Sequence, residues 1–114
     1  MKNTKILAFA ICTAVLSVQN SAAAVENLGP RQVVSLGCHN TDGTCYVSLD
    51  GAAFGSTLGC SVTNEFRFDN GDTAIGMRAY ASLLAAMLKG RSVSVTLNEC
   101  TIQGSPKLRY FSIN

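Results

Sequence analysis

Four cysteines, Cys38, Cys45, Cys60 and Cys100, carry the most definite chemistry in this 114-residue chain. None of their spacings is Cys-x-x-Cys, so thiolate zinc ligation is a poor fit and oxidation to disulfides a good one. Two crosslinks also suit a domain this small, whose core is thin relative to its surface. The remaining chemistry-bearing residues are sparse. His39 is the only histidine, so a two-histidine phosphodiester mechanism is impossible within one chain, and its place beside a turn reads as an exposed loop residue. No nucleophile elbow surrounds any serine. Glu65 with Asp69, or Asp69 with Asp72, could form the carboxylate pair of a glycosidase. They fall where acidic residues are expected anyway, beside a strand end and a helix cap. Gly51 and Gly55 flank a turn instead of leading a strand into a helix, so no phosphate loop is present. The expectation is a protein that is not an enzyme and holds no metal and no cofactor.

The elements that must position these residues begin after a leader. Lys2 and Lys5 precede an apolar run from Ile6 to Val18, and Ala22-Ala23-Ala24 supplies the small residues of a cleavage site. Residues 1–24 are therefore expected to be a signal peptide cut after Ala24, and residues 25–114 a single domain. The apolar run is short of the roughly 20 residues a spanning helix needs, and no second run follows. The mature chain is thus expected to be exported, periplasmic or secreted, with no membrane span. Cys12 lies inside the run without the setting of a lipid-acceptor cysteine and leaves with the leader.

Loss of Lys2 and Lys5 balances the charges: Arg31, Arg67, Arg78, Lys89, Arg91, Lys107 and Arg109 stand against Glu26, Asp42, Asp50, Glu65, Asp69, Asp72 and Glu99. A balanced surface lacks the field that tracks phosphates, which argues against nucleic acid as a partner. Lys89, Arg91, Lys107 and Arg109 are the one basic concentration, read as two cations at a helix end and two on a strand.

Along the mature chain, Val25 to Pro30 reads as a lead-in and Arg31 to Leu36 as the first strand, ending at Gly37. Asn40-Thr41-Asp42-Gly43 is a turn whose glycine is expected at positive φ, and Thr44 to Leu49 is the second strand. After a turn at Gly51 to Gly55, a third strand is expected from about Thr57 through Phe68. Asp72 or Thr73 caps a helix. Its apolar stripe is Tyr80, Leu83, Leu84, Met87 and Leu88, with Ile75 one turn earlier. Lys89 and Gly90 stop it. Ser92 to Asn98 alternates as a half-buried strand, and Lys107 to Ile113 is the last, with Leu108 and Tyr110 opposed to Phe111 and Ile113.

The order βββαββ is that of a small OB-like five-stranded barrel, a mainly β (α+β) fold stapled by disulfides. The segments Cys45-Tyr46-Val47-Ser48-Leu49, Gly59-Cys60-Ser61-Val62, Tyr80 to Ala86 and Leu88-Lys89-Gly90-Arg91-Ser92-Val93-Ser94-Val95 resemble the B subunits of bacterial AB5 toxins. The pertussis and subtilase types are the nearest in pattern, as are small exported bacterial proteins with a cysteine following the same strand, here Cys100. In such a barrel the third and last strands run parallel, which favours Cys38 with Cys45 and Cys60 with Cys100. The toxin-like alternative is Cys45 with Cys60, leaving Cys38 to Cys100. The resemblance implies a glycan-binding module, assembled as a homo-oligomeric ring of five with the helices lining a pore. It transfers no sugar-contacting residue, because the toxins' tyrosine- and serine-bearing segment has no match. Tryptophan is missing, leaving Tyr46, Tyr80 and Tyr110 as stacking platforms. The alternative is an exported inhibitor or accessory that binds another protein through loops on an inert scaffold.

Overall fold

The computed structural model describes Ala8, residues 10–14 and residues 24–114. The charged start of the expected leader, and the residues just before Ala24, lie outside the described residues. Cys12 is in no disulfide. No helix among the described residues is long and apolar enough to cross a membrane.

Five strands and one helix follow in the order β1 (Val25–Cys38), β2 (Cys45–Leu49), β3 (Glu65–Phe68), α1 (Ala74–Lys89), β4 (Ser92–Cys100) and β5 (Pro106–Ile113). They form a closed barrel in the order β1-β2-β3-β5-β4, with β1 also paired to β4. All neighbours are antiparallel except β3 and β5, which run parallel and meet at Arg67 and Lys107. This is the OB-like arrangement, in which closure covers most sheet edges and the β3–β5 seam is a single residue pair.

Closure depends on the segment that reads as a lead-in. Val25 to Leu28 are strand, not coil, and pair with Asn98 to Val95 of β4. A bulge between Leu28 and Arg31 then bends the strand, and its second half pairs with β2. Gly29-Pro30 supplies the break, since proline removes a ladder donor and glycine allows a sharp bend. One strand thus serves two neighbours, which its weak alternation conceals.

The third strand is shorter than its sequence suggests. Gly55 and Gly59, both at positive φ, bracket a 3-10 turn at Ser56–Leu58, and the chain becomes extended only at Glu65. The intervening loop lies across one barrel end. It is tied there by the Gly55 amide and Thr57 hydroxyl, which donate to the Glu26 carboxylate of β1, the Val62 amide to Gly104 O, and the Cys60–Cys100 disulfide. The second disulfide joins Cys38 and Cys45 across the β1–β2 turn. The favoured pairing is therefore the one present.

Strict alternation puts Val93, Val95 and Leu97 of β4 into the core beside Val47, Phe54 and Phe66. Helix α1 closes over them. Thr73 caps it, accepting from the Gly76 amide at 3.2 Å, and Gly90 at φ 64° ends it, with the Gly90 and Arg91 amides donating to Met87 and Ala86. Its inner face is Gly76, Leu83 and Ala86, with Ala79, Tyr80 and Met87 partly buried against the core. Burial of Leu83 contributes about 2 kcal/mol. Ile75 and Leu88, expected on that face, are 69% and 73% exposed. The sheet presents its curved wall to one narrow strip of helix, and these two residues fall just outside it.

Gly43 also departs from expectation. It does not adopt positive φ. What demands glycine is proximity: a Cβ would sit 2.7 Å from the Asp69 carbonyl, and Gly43 O accepts from the Gly71 amide at 2.7 Å.

Candidate functional site

The tyrosines expected as platforms are separated by their surroundings. Tyr46 opposes Gly37 across β1 and β2, and its ring lies where a Gly37 side chain would be, 2.9 Å from an ideal Cβ. Tyr80 packs against the core. Tyr110 alone is free, 63% exposed on the outer wall of β5.

Its neighbours follow from register. Asn27, Thr96 and Tyr110 line up across β1, β4 and β5, and Ser94 with Ser112 forms the adjacent row. Cross-strand partners share a face, so hydroxyls and an amide surround the ring. Thr96 Oγ1 donates to Asn27 Oδ1 at 2.7 Å, and Asn114 Nδ2 donates to Ser94 Oγ at 3.0 Å. A depression of about 130 Å³ lies among Asn27, Leu28, Ser94, Val95, Thr96 and Tyr110, none of them charged. Period-two alternation marks β4 as a wall strand, but the tyrosine joins its polar row only through register. A break between Thr96 and Leu97 leaves Arg109 without a β4 partner, so Tyr110 faces outward while Phe111 packs inward.

A second concavity runs beside α1. A cleft of about 250 Å³ has Phe68, Leu108 and Phe111 in its floor and Ile75, Arg78 and Arg109 at its rim. A shallower one of about 570 Å³ lies further along α1, among Ala85, Ala86, Lys89, Arg91 and Ile113.

The carboxylates considered for hydrolysis have structural partners. Glu65 accepts from Arg67 at 2.9 Å, and Asp69 lies 3.8 Å from Lys107. Asp72 packs beside Gly43. Among the described residues no group of three His, Cys, Asp or Glu side chains could hold a metal ion. His39 faces Asp42 at 3.4 Å, both largely exposed in the β1–β2 turn.

Asp42 accepts from the Thr44 amide at 2.8 Å. That backbone hydrogen bond, helped by the Thr44 hydroxyl and His39, holds its carboxyl below the ordinary value of 3.8. A depressed folded-state value means the contribution to stability is present above 3.8 and disappears as pH falls through the folded-state midpoint. The Thr44 amide resonance is expected to titrate with a midpoint below 3.8; a midpoint at or above it would contradict the contact.

Comparison with protein families, with functionally described proteins and with solved structures finds no match for this chain.

Proposed function

We propose that the chain is an exported, non-catalytic binding module that recognises a neutral sugar on the wall centred on Tyr110. The observation carrying this reading is an exposed aromatic ring inside an uncharged row of hydroxyls and amides on three adjacent strands. A pyranose offers an apolar C–H face and a rim of hydroxyls. The ring takes the former and Asn27, Ser94, Thr96 and Ser112 supply donors and acceptors for the latter. Strands hold these groups rigidly, so little ordering is needed on binding. Two disulfides support an oxidising compartment and hence export.

A glycan array probed with the mature protein, followed by titration of the best hit, tests this. Tyr110→Ala is expected to weaken binding at least tenfold, about 1.4 kcal/mol. The ring covers little of the core, so the thermal midpoint should stay close to that of the parent. An array without hits, or an unchanged affinity in the variant, would discard the sugar reading.

A further inference from the structure

The cations of residues 25–114 divide into two groups. Arg31 donates to the Asp50 and Ala52 carbonyls and stacks on Phe54, with its guanidinium carbon 5.5 Å from the ring centroid. Arg67 is paired with Glu65 and Lys107 with Asp69. The other four, Arg78, Lys89, Arg91 and Arg109, have no ion-pair partner among the described residues. Arg78 and Arg109 line the first cleft beside α1 and Lys89 and Arg91 the second, and neither lining includes a carboxylate. Helix-dipole compensation accounts for Lys89 in the last turn. It does not account for Arg78 in mid-helix or Arg109 on a strand.

The strand beside these charges also lacks a ladder partner on one side over most of its length. β3 reaches β5 only at Lys107, so Tyr110 to Ile113 pair with β4 alone. Alternate residues of an antiparallel strand aim N–H and C=O away from their partner. On β5 that side borders the first cleft, whose lining joins Leu108, Arg109 and Phe111 to α1. The free side of Tyr110 to Ile113 runs about 14 Å at 3.4 Å per residue. The helical wall from Ile75 to Lys89 runs about 21 Å at 1.5 Å per residue, long enough to flank a strand laid along that edge.

We infer that the α1–β5 groove is a docking site for an extended acidic segment of a partner polypeptide, which adds to the free edge of β5. Main-chain hydrogen bonds to β5 would supply affinity. Alternation would send apolar side chains onto the Phe68, Leu108 and Phe111 floor and carboxylates to the four cations. This docking site does not rest on the sugar reading, which uses the outer face of the same β5 stretch where this one uses its edge.

Titration of the full mature chain with an acetylated, alternating Glu–Val octapeptide tests the inference, with the Gln–Val octapeptide as neutral control. Saturable binding is expected, at least about tenfold tighter for Glu–Val, weakening as salt rises. The amide shifts should concentrate on Arg109 to Ile113. Arg78→Gln with Arg109→Gln, and Lys89→Gln with Arg91→Gln, should each reduce affinity with unchanged melting, because all four side chains are exposed. Equal affinity for the neutral peptide would overturn the proposal. So would binding of a heparin oligosaccharide without binding of the Glu–Val peptide. Light scattering that shows copies of the chain associating, with the association lost in the same variants, would assign the groove to self-assembly instead.

Discussion

Gly76→Ala is expected to destabilise the protein by about 2 kcal/mol, although helix propensity alone predicts the opposite sign. Alanine is favoured over glycine inside a helix by about 1 kcal/mol, and Gly76 lies in the first turn of α1. An added Cβ would, however, overlap the carbonyl oxygen of Asn70, with Gly71 N close behind. These are backbone atoms and cannot rotate away. Asn70 is pinned further because its carbonyl accepts from both the Thr73 amide and the Thr73 hydroxyl, and the Gly71 amide is bonded to Gly43. Overpacking against fixed groups costs about 3 kcal/mol, which exceeds the propensity gain. For a domain of this size the difference corresponds to a fall in Tm of roughly 8–16 °C. Ala85→Gly, on the exposed face of the same helix, should lose only about 1 kcal/mol. A Gly76→Ala protein that melts above its parent would show that the helix does not start against Asn70.

Removing the Cys60–Cys100 crosslink should have the larger effect. Cys60→Ala combined with Cys100→Ala opens a loop with a sequence separation of 40, for which loop-closure entropy gives about 4 kcal/mol. That is a large share of the 5–15 kcal/mol typical of a whole domain. The loss has a local origin too. The segment from Phe54 to Thr63 has no strand partner of its own and reaches the barrel through the Glu26 carboxylate and the Gly104 carbonyl besides the crosslink. Phe54, in the core at 2% exposure, depends on that segment staying in place. Denaturant midpoints of parent and double variant measure the difference. A loss below about 1 kcal/mol would mean that the loop is held by other contacts.

The legible parts of this fold are those in which local pattern and burial coincide. Ser92 to Asn98 alternates because one side of β4 lines the core and the other meets solvent. The Thr73 cap and the Lys89-Gly90 stop are local hydrogen-bond and backbone requirements. Where a segment serves two partners, the pattern fails. β1 turns its apolar residues inward in two short pieces on either side of Gly29-Pro30, so its first half reads as coil. The run after Thr57 is β-prone yet folds as turn and loop, because the Cys60 crosslink and two positive-φ glycines govern it. Ile75 and Leu88 obey helical periodicity but lie beyond the strip that the wall covers.

Composition and order along the chain determined the class of this protein: a small βββαββ domain, crosslinked by four cysteines, with charge balanced over residues 25–114 and little catalytic equipment. These follow from properties each residue carries wherever it is placed. Tertiary structure alone decided which tyrosine faces solvent and which cations lack partners. Tyr46, Tyr80 and Tyr110 differ in what lies across a strand or beneath a helix, and Arg78 and Arg109 become neighbours of one groove only when α1 settles beside β5. Register and closure are long-range pairings, so the recognition surfaces they assemble have no local signature.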